Sequence, residues 1–231
     1  MEDLRLSREN QGVRSFIQQV YMWMTLALLT TAGVALAVST SPSLIEAIFV
    51  NRSLFFVLII AEVFLVGFLS RGINKMSSQV ATAIFFVYSV VNGFTFSWIF
   101  LAYDLGSISS IFFITAGTFG AMSLYGYVTK KDLSSIGNIC LMGLIGLIIA
   151  SIVNIFIINN TFSLIVSFIG VIIFVAITAY DTQRIKKMAV SLSYSDDMEV
   201  SAKGSILGAL TLYLDFINLF IYMLRLFGRK R

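Results

Sequence analysis

The chain contains no histidine, one cysteine and one proline, and only 12% of its 231 residues are charged. Without histidine there is no side chain whose ordinary titration lies near neutral pH, and the commonest transition-metal ligand is missing. Any proton sensing therefore falls to carboxylates. A single cysteine, Cys140, excludes an intramolecular disulfide framework and reads as a small core residue within an apolar run. Pro42 lies between apolar segments, so nothing of that kind interrupts long helices, whereas the 16 glycines fall largely within the segments, as close helix packing in lipid favours.

What is abundant is apolar surface. Hydrophobic residues make up 58% of the chain, more than one soluble core can bury, so the composition is that of an integral membrane protein. Apolar runs near the ~20 residues needed to cross a bilayer predict an all-α membrane protein with seven transmembrane helices, at 20–40, 53–70, 80–102, 107–127, 136–158, 162–181 and 204–227. These bounds leave a charged cytoplasmic arm over 1–19, a seven-helix domain over 20–227 and a basic tail over 228–231. The arm carries no small-residue cleavage site of the kind that marks a removable signal peptide. The connection 182–203 carries Arg184, Lys186, Lys187, Asp196, Asp197, Glu199 and Lys203 and reads as a solvated loop.

Lysine and arginine near helix ends favour the cytoplasmic side. Arg5, Arg8, Arg14, Arg71, Lys75, Lys130, Lys131, Arg184, Lys186, Lys187 and Lys203 lie in the arm and the even-numbered connections, against Arg52 alone in the odd-numbered ones. The N-terminus is thus expected in the cytoplasm. Seven crossings then place Arg225, Arg229, Lys230 and Arg231 on the other side, against the same rule. The last segment either crosses against its charge bias or re-enters; its length favours crossing.

Carboxylates at membrane depth face a protein interior, a partner or an ion path. Asp181 ends the sixth segment and Asp215 sits inside the seventh. At 100° per residue, Gly204, Gly208, Thr211, Asp215, Asn218 and Tyr222 share one stripe, and Ser163, Ser167, Gly170, Phe174, Thr178 and Asp181 share another. These small and polar stripes bring the two aspartates together; the local alternative pairs Asp181 with Arg184 and Asp215 with Asn218. Glu62, mid-way along the second segment, is a third buried acid. Arg71 follows nine residues later, about half a turn out of phase and roughly 13 Å along the axis, so the two cannot pair on a regular helix. Arg71 reads most simply as the cytoplasmic boundary. Asn92, with Tyr88 and Thr95 on its face, is expected to look inward and hydrogen-bond a neighbouring helix.

Ala179-Tyr180-Asp181-Thr182-Gln183-Arg184-Ile185 and Leu212-Tyr213-Leu214-Asp215-Phe216-Ile217-Asn218-Leu219-Phe220 closely resemble the two aspartate motifs of the transmembrane Bax inhibitor motif family. The resemblance extends over the whole chain, through Glu62-Val63 in the second segment and Lys130-Lys131-Asp132-Leu133 after the fourth. It implies a C-terminal helix running centrally among the other six, and a pH-sensitive calcium leak controlled by an aspartate dyad, carried here to Asp181 and Asp215. The family's gating acid maps to Glu62. Its arginine maps less well, because Arg71 lies closer to the acid than in the family and no basic run follows it. Asn92 and Asn218 join Glu62 and Arg71 as candidates for the gate or ion path.

The chemistry suits the ion. Calcium takes oxygen ligands, and paired carboxylates with nearby hydroxyls and carbonyls supply them. Two aspartates in low dielectric tend to share one proton and titrate as a unit, so proton and cation compete for one site. The rivals are an intramembrane aspartyl protease and a non-conducting regulator of membrane protein partners, such as a cell-death or protease-complex modulator. The protease lacks the glycine-flanked motif before its second acid, since Leu212-Tyr213-Leu214 precede Asp215. No phosphate-binding loop, zinc motif or nucleophile elbow suggests another enzyme, and no cofactor is expected. The expected partners are calcium ions, protons and the lipid bilayer, not nucleic acid; the basic balance fits cytoplasmic loops and anionic lipid. Short termini point to a bacterial inner membrane.

Overall fold

The computed structural model describes residues 2–50, 52–157, 159–193 and 197–231. Its elements are helices, and among the described residues seven are long and apolar enough to cross a membrane. We name α1 (Glu2–Ser39), α2 (Pro42–Ile45), α3 (Arg52–Gly72), α4 (Ser78–Phe96), α5 (Trp98–Ala102), α6 (Leu105–Val128), α7 (Ser134–Ile157), α8 (Asn160–Ser193) and α9 (Met198–Phe227). The only proline sits in the first turn of short α2, where its missing N–H leaves no helical bond unmade. Asp104 begins α6 by accepting the Gly106 and Ser107 N–H groups at 3.0 and 2.9 Å, which satisfies two otherwise orphaned donors.

Three expected boundaries are corrected. Residues 2–19, set apart by their charge, are helical and continuous with the first span. The third span, expected as one helix over 80–102, breaks at Ser97 into α4 and α5. There the Thr95 and Ser97 hydroxyls donate back to the Asn92 and Phe94 carbonyls at 2.9 and 2.8 Å, competing with the helical ladder. The expected loop 182–203 is mostly helix, because α8 continues to Ser193 and α9 begins at Met198. Asp196 lies outside the described residues.

The chain divides into two compact units. The first comprises Met1–Ala102, Lys187–Tyr213 and Arg231, and in it α4 packs against α1 and α3. Tyr213 is the largest of the fully buried side chains described in it. The Tyr213 hydroxyl lies 2.7 Å from the Thr31 hydroxyl, which reaches the Ser89 carbonyl at 2.9 Å, and its ring meets Phe85 and Tyr88 edge-on. A membrane-depth tyrosine needs such a partner for its O–H, and here it fastens α9 to α1 and α4.

The second unit comprises Tyr103–Lys186 and Leu214–Lys230. Phe112 and Phe119 of α6 meet Phe216 of α9 edge to face. At Gly126 the α6 and α8 backbones approach so closely that an added methyl would overlap the Ala179 carbonyl oxygen.

The ends of α9 settle its course. At its start, the Glu199 carboxylate accepts both the N–H and the hydroxyl of Ser78, at 2.6 and 2.7 Å, where α4 begins. Beyond its end, the Arg231 N–H donates to the Ala102 carbonyl at 3.0 Å, where α5 stops. The last helix therefore runs the full length of the third span. Within the second unit, the tail is clipped to the start of α6 by a bridge between Tyr103 and Lys230, with the Asp104 N–H donating to the Arg229 carbonyl. Glu199 is thus a cap on α4 and not a free loop charge.

Of the spanning helices α9 is the most enclosed, with 72% of its apolar window buried against 6% for the second span. That burial extends beyond the single polar stripe. Single cysteines replacing Lys75 and Lys230, in a Cys140→Ser background, should be labelled from opposite sides of the membrane by an impermeant thiol reagent. Labelling from the same side would mean that α9 re-enters. Gly126→Ala should destabilise by about 1–3 kcal/mol through overpacking, read as a lower melting temperature in detergent. Gly117→Ala on the same helix, where the added methyl meets open space, should not.

Candidate functional site: a buried aspartate pair

In the second unit, antiparallel α8 and α9 face each other through the two stripes read from the sequence. Ser167, Gly170, Phe174, Thr178 and Asp181 are buried on α8, and Asp215 and Tyr222 on α9, with Ser163 and Asn218 at intermediate exposure. The carboxyls of Asp181 and Asp215 meet at hydrogen-bonding range, with the residues 8% and 5% exposed. Oδ2 of Asp215 is fully buried and has no partner among the described residues.

The two acids differ in their outlook. Arg184 Nη1 stands 4.0 Å from Asp181 Oδ1, and the guanidinium side chain is 72% exposed. Asp181 therefore belongs both to the dyad and, through a long and solvated contact, to the local pair; such a contact stabilises little. Asn218 donates to the Leu214 carbonyl of its own helix at 2.8 Å, so the alternative local pairing with Asp215 is not what the amide does. Around the dyad, Thr178 and Thr182 donate to carbonyls of their own helix, at 2.7 and 2.8 Å. Their lone pairs remain as oxygen donors. Cys140 of α7 lies within electrostatic reach of Asp181.

The motif residues after Asp181 do work that sequence reading missed. The Gln183 amide donates to the Lys131 carbonyl at 2.8 Å and accepts the Leu133 N–H at 2.9 Å. Lys186 donates to the Tyr127 carbonyl at 2.7 Å and covers the Tyr127 ring, placing a cation at the C-terminal end of α6. Together they pin the fourth connection to α8 and fix the helix that carries Asp181. The signal in the sequence was a glutamine inside an apolar-flanked motif, which needs an amide-shaped partner.

The other candidates lie in the first unit and form a separate polar group. Glu62 is half-buried and accepts the Thr95 hydroxyl at 2.6 Å, across from α3 to α4. Asn92 donates to the Tyr88 hydroxyl at 2.7 Å, one turn back on its own helix, while its Oδ1 is buried with no partner among the described residues. The interhelical bond expected of Asn92 is thus made by Thr95, one turn along. Arg71 is exposed in the last turn of α3, which suits a boundary marker. No group of three or more His, Cys, Asp or Glu side chains that could hold a metal is assembled among the described residues.

Seven apolar helices with buried carboxylates define a multi-pass helical membrane protein. The chain belongs to the Bax inhibitor family: it matches the family described as Inhibitor of apoptosis-promoting Bax1 over residues 13–231. It is similar to the inner membrane protein YbhL of Escherichia coli, 50% identical over 220 residues that cover 95% of this chain and 94% of that one. An uncharacterized protein of Borreliella burgdorferi is 43% identical over 229 residues, covering 98% of each chain. One from Rickettsia prowazekii is 41% identical over 222 residues, covering 96% of this chain and 92% of its own. These relatives and the seven apolar helices mark a bacterial-type integral protein of the inner membrane.

Glu62→Gln separates two roles for the polar group on α3 and α4. The amide is nearly isosteric and still accepts from Thr95, so a purely structural Glu62 leaves transport unchanged at every pH. If Glu62 lines a path or gate, folded Glu62→Gln protein should show an altered calcium flux or pH response in proteoliposomes, with its melting temperature intact.

Proposed function

We propose that this protein is a pH-sensitive calcium leak of the inner membrane, with its N-terminus in the cytoplasm and its conduction set by the Asp181–Asp215 dyad. The observation that carries this reading is the meeting of two buried carboxyls from α8 and α9 within an apolar bundle. Two such groups cannot both ionise without strong mutual repulsion, so a proton is shared between them. The shared proton occupies the oxygens that a calcium ion would use, and the two compete. Losing the proton leaves two like charges facing each other across a helix pair, which favours a separated packing or an inserted cation. That is a two-state element of the kind a gate needs.

The calcium ion is cargo in this reading. Asp181 and Asp215 supply charged oxygens, Thr178 and Thr182 hydroxyls lie on the same helix as Asp181, and Glu62 with Asn92 offers a second polar station in the first unit. No covalent chemistry is required of any residue.

Calcium flux should be measured in proteoliposomes across a pH series. Asp181→Asn and Asp215→Asn should each remove most of the pH dependence, because one carboxyl alone has no partner with which to share a proton. Glu46→Gln, on an exposed residue far along the chain from both motifs, should behave as wild type. Glu199→Gln is a poor control because it takes away one of the two oxygens that accept from Ser78. Absence of flux at every pH would reject the leak and leave a non-conducting regulator.

A further inference from the structure

Two turns from the dyad, the α8–α9 seam is filled by one side chain. Tyr222 lies seven residues after Asp215 and Phe174 seven before Asp181, so on antiparallel helices both spacings lead in the same direction, about 10 Å from the dyad. The Tyr222 ring stacks on Phe174 with centroids 5.8 Å apart and planes 26° apart. It also covers Gly170, where an added methyl would stand 2.7 Å from ring carbon Cδ1. Its hydroxyl faces Ser151 of α7, and the Arg225 guanidinium lies 5.7 Å from the ring centroid. Tyr222 itself is only 9% exposed.

Glycine is a poorer helix former than alanine, and here it makes the flat seat on which the ring rests. On the opposite side of the dyad the surroundings are different. Asp181 has the largely exposed Arg184 beside it, which leads towards the end of α8. Among the described residues, the charged or titratable groups seen to act on the dyad are Arg184 on α8 and Cys140 on α7, with Arg225 beyond the Tyr222 ring.

We infer that Tyr222, seated on Gly170 and stacked on Phe174, is a seal that closes the dyad to the side of the C-terminal tail. This rests on the dyad being the functional site, and it adds a direction: protons and cations do not reach the carboxyls from the tail side while the ring is in place. The hydroxyl is secondary, because the ring fills the seam.

A cysteine at the inner position tests the seal without any need for flux. In Asp215→Cys/Cys140→Ser protein, oriented in sealed vesicles, an impermeant methanethiosulfonate added on the tail side should fail to label. Adding Tyr222→Ala should make tail-side labelling appear, and Tyr222→Phe, which keeps the ring, should not. Labelling from the tail side with Tyr222 intact would overturn the proposal. So would failure to label from that side in monodisperse, thermally stable Tyr222→Ala protein. Calcium flux on the wild-type and Tyr222→Ala backgrounds separates the two readings. With a working leak, its response to pH imposed on the tail side should be gained in Tyr222→Ala alone. Labelling that follows the ring with no flux at any pH would retain the seal and reject the leak.

Discussion

A carboxyl group at membrane depth is the constraint from which the rest of this structure follows. Asp215 sits well inside an apolar span, so the helix carrying it cannot present that face to lipid. Each unit holds its own part of α9. In one unit α1 and α4 hold it through the Tyr213 hydroxyl, and in the other α6 and α8 hold it through Phe112, Phe119, Gly170 and Phe174. The burial of α9 is not confined to its polar stripe, since Leu210, Leu212, Phe216 and Leu219 are buried as well.

That enclosure also explains how a basic tail comes to lie against the charge rule. Lys and Arg bias topology by modest amounts per residue, whereas re-entry would expose Asp215 and Tyr213 and would undo the bonds at both ends of α9. Glu199 at the start of α4 and Arg231 at the end of α5 fix the two ends to one span. Packing decides the course here and charge does not.

The sequence made the spans and the dyad legible because both depend on patterns local to a helix: apolar length for the first, helical phase for the second. Other features needed a partner that no local pattern names. The run from Arg184 to Lys203 looked like loop because it is charged, but hydropathy reports depth and not backbone conformation. A helix that leaves the bilayer stays helical when its polar side chains find carbonyls, as Gln183 and Lys186 do. The break at Ser97 was hidden for a similar reason: Thr95 and Ser97 are ordinary helix residues until their hydroxyls turn back on the ladder. Thr95 was noted beside Asn92, but which of the two would bridge to Glu62 depends on the register of α3 against α4, and one chain read alone does not contain it.

The shortage of acids limits what the dyad can do with a divalent ion. Calcium is held tightly by six to eight oxygens, several of them charged. Here two carboxyls meet without a third acid, histidine or cysteine assembled into a metal-holding group among the described residues. Among the described residues one of their oxygens is buried without a partner, and the remaining oxygen donors nearby are neutral. For the proposed leak, such a composition implies weak binding and quick exchange, with a shared proton able to compete with the ion. Those would be defects in a calcium store or a structural metal centre. They suit the proposed passage, because an ion that must leave on the far side cannot be bound more strongly than the next step can release it.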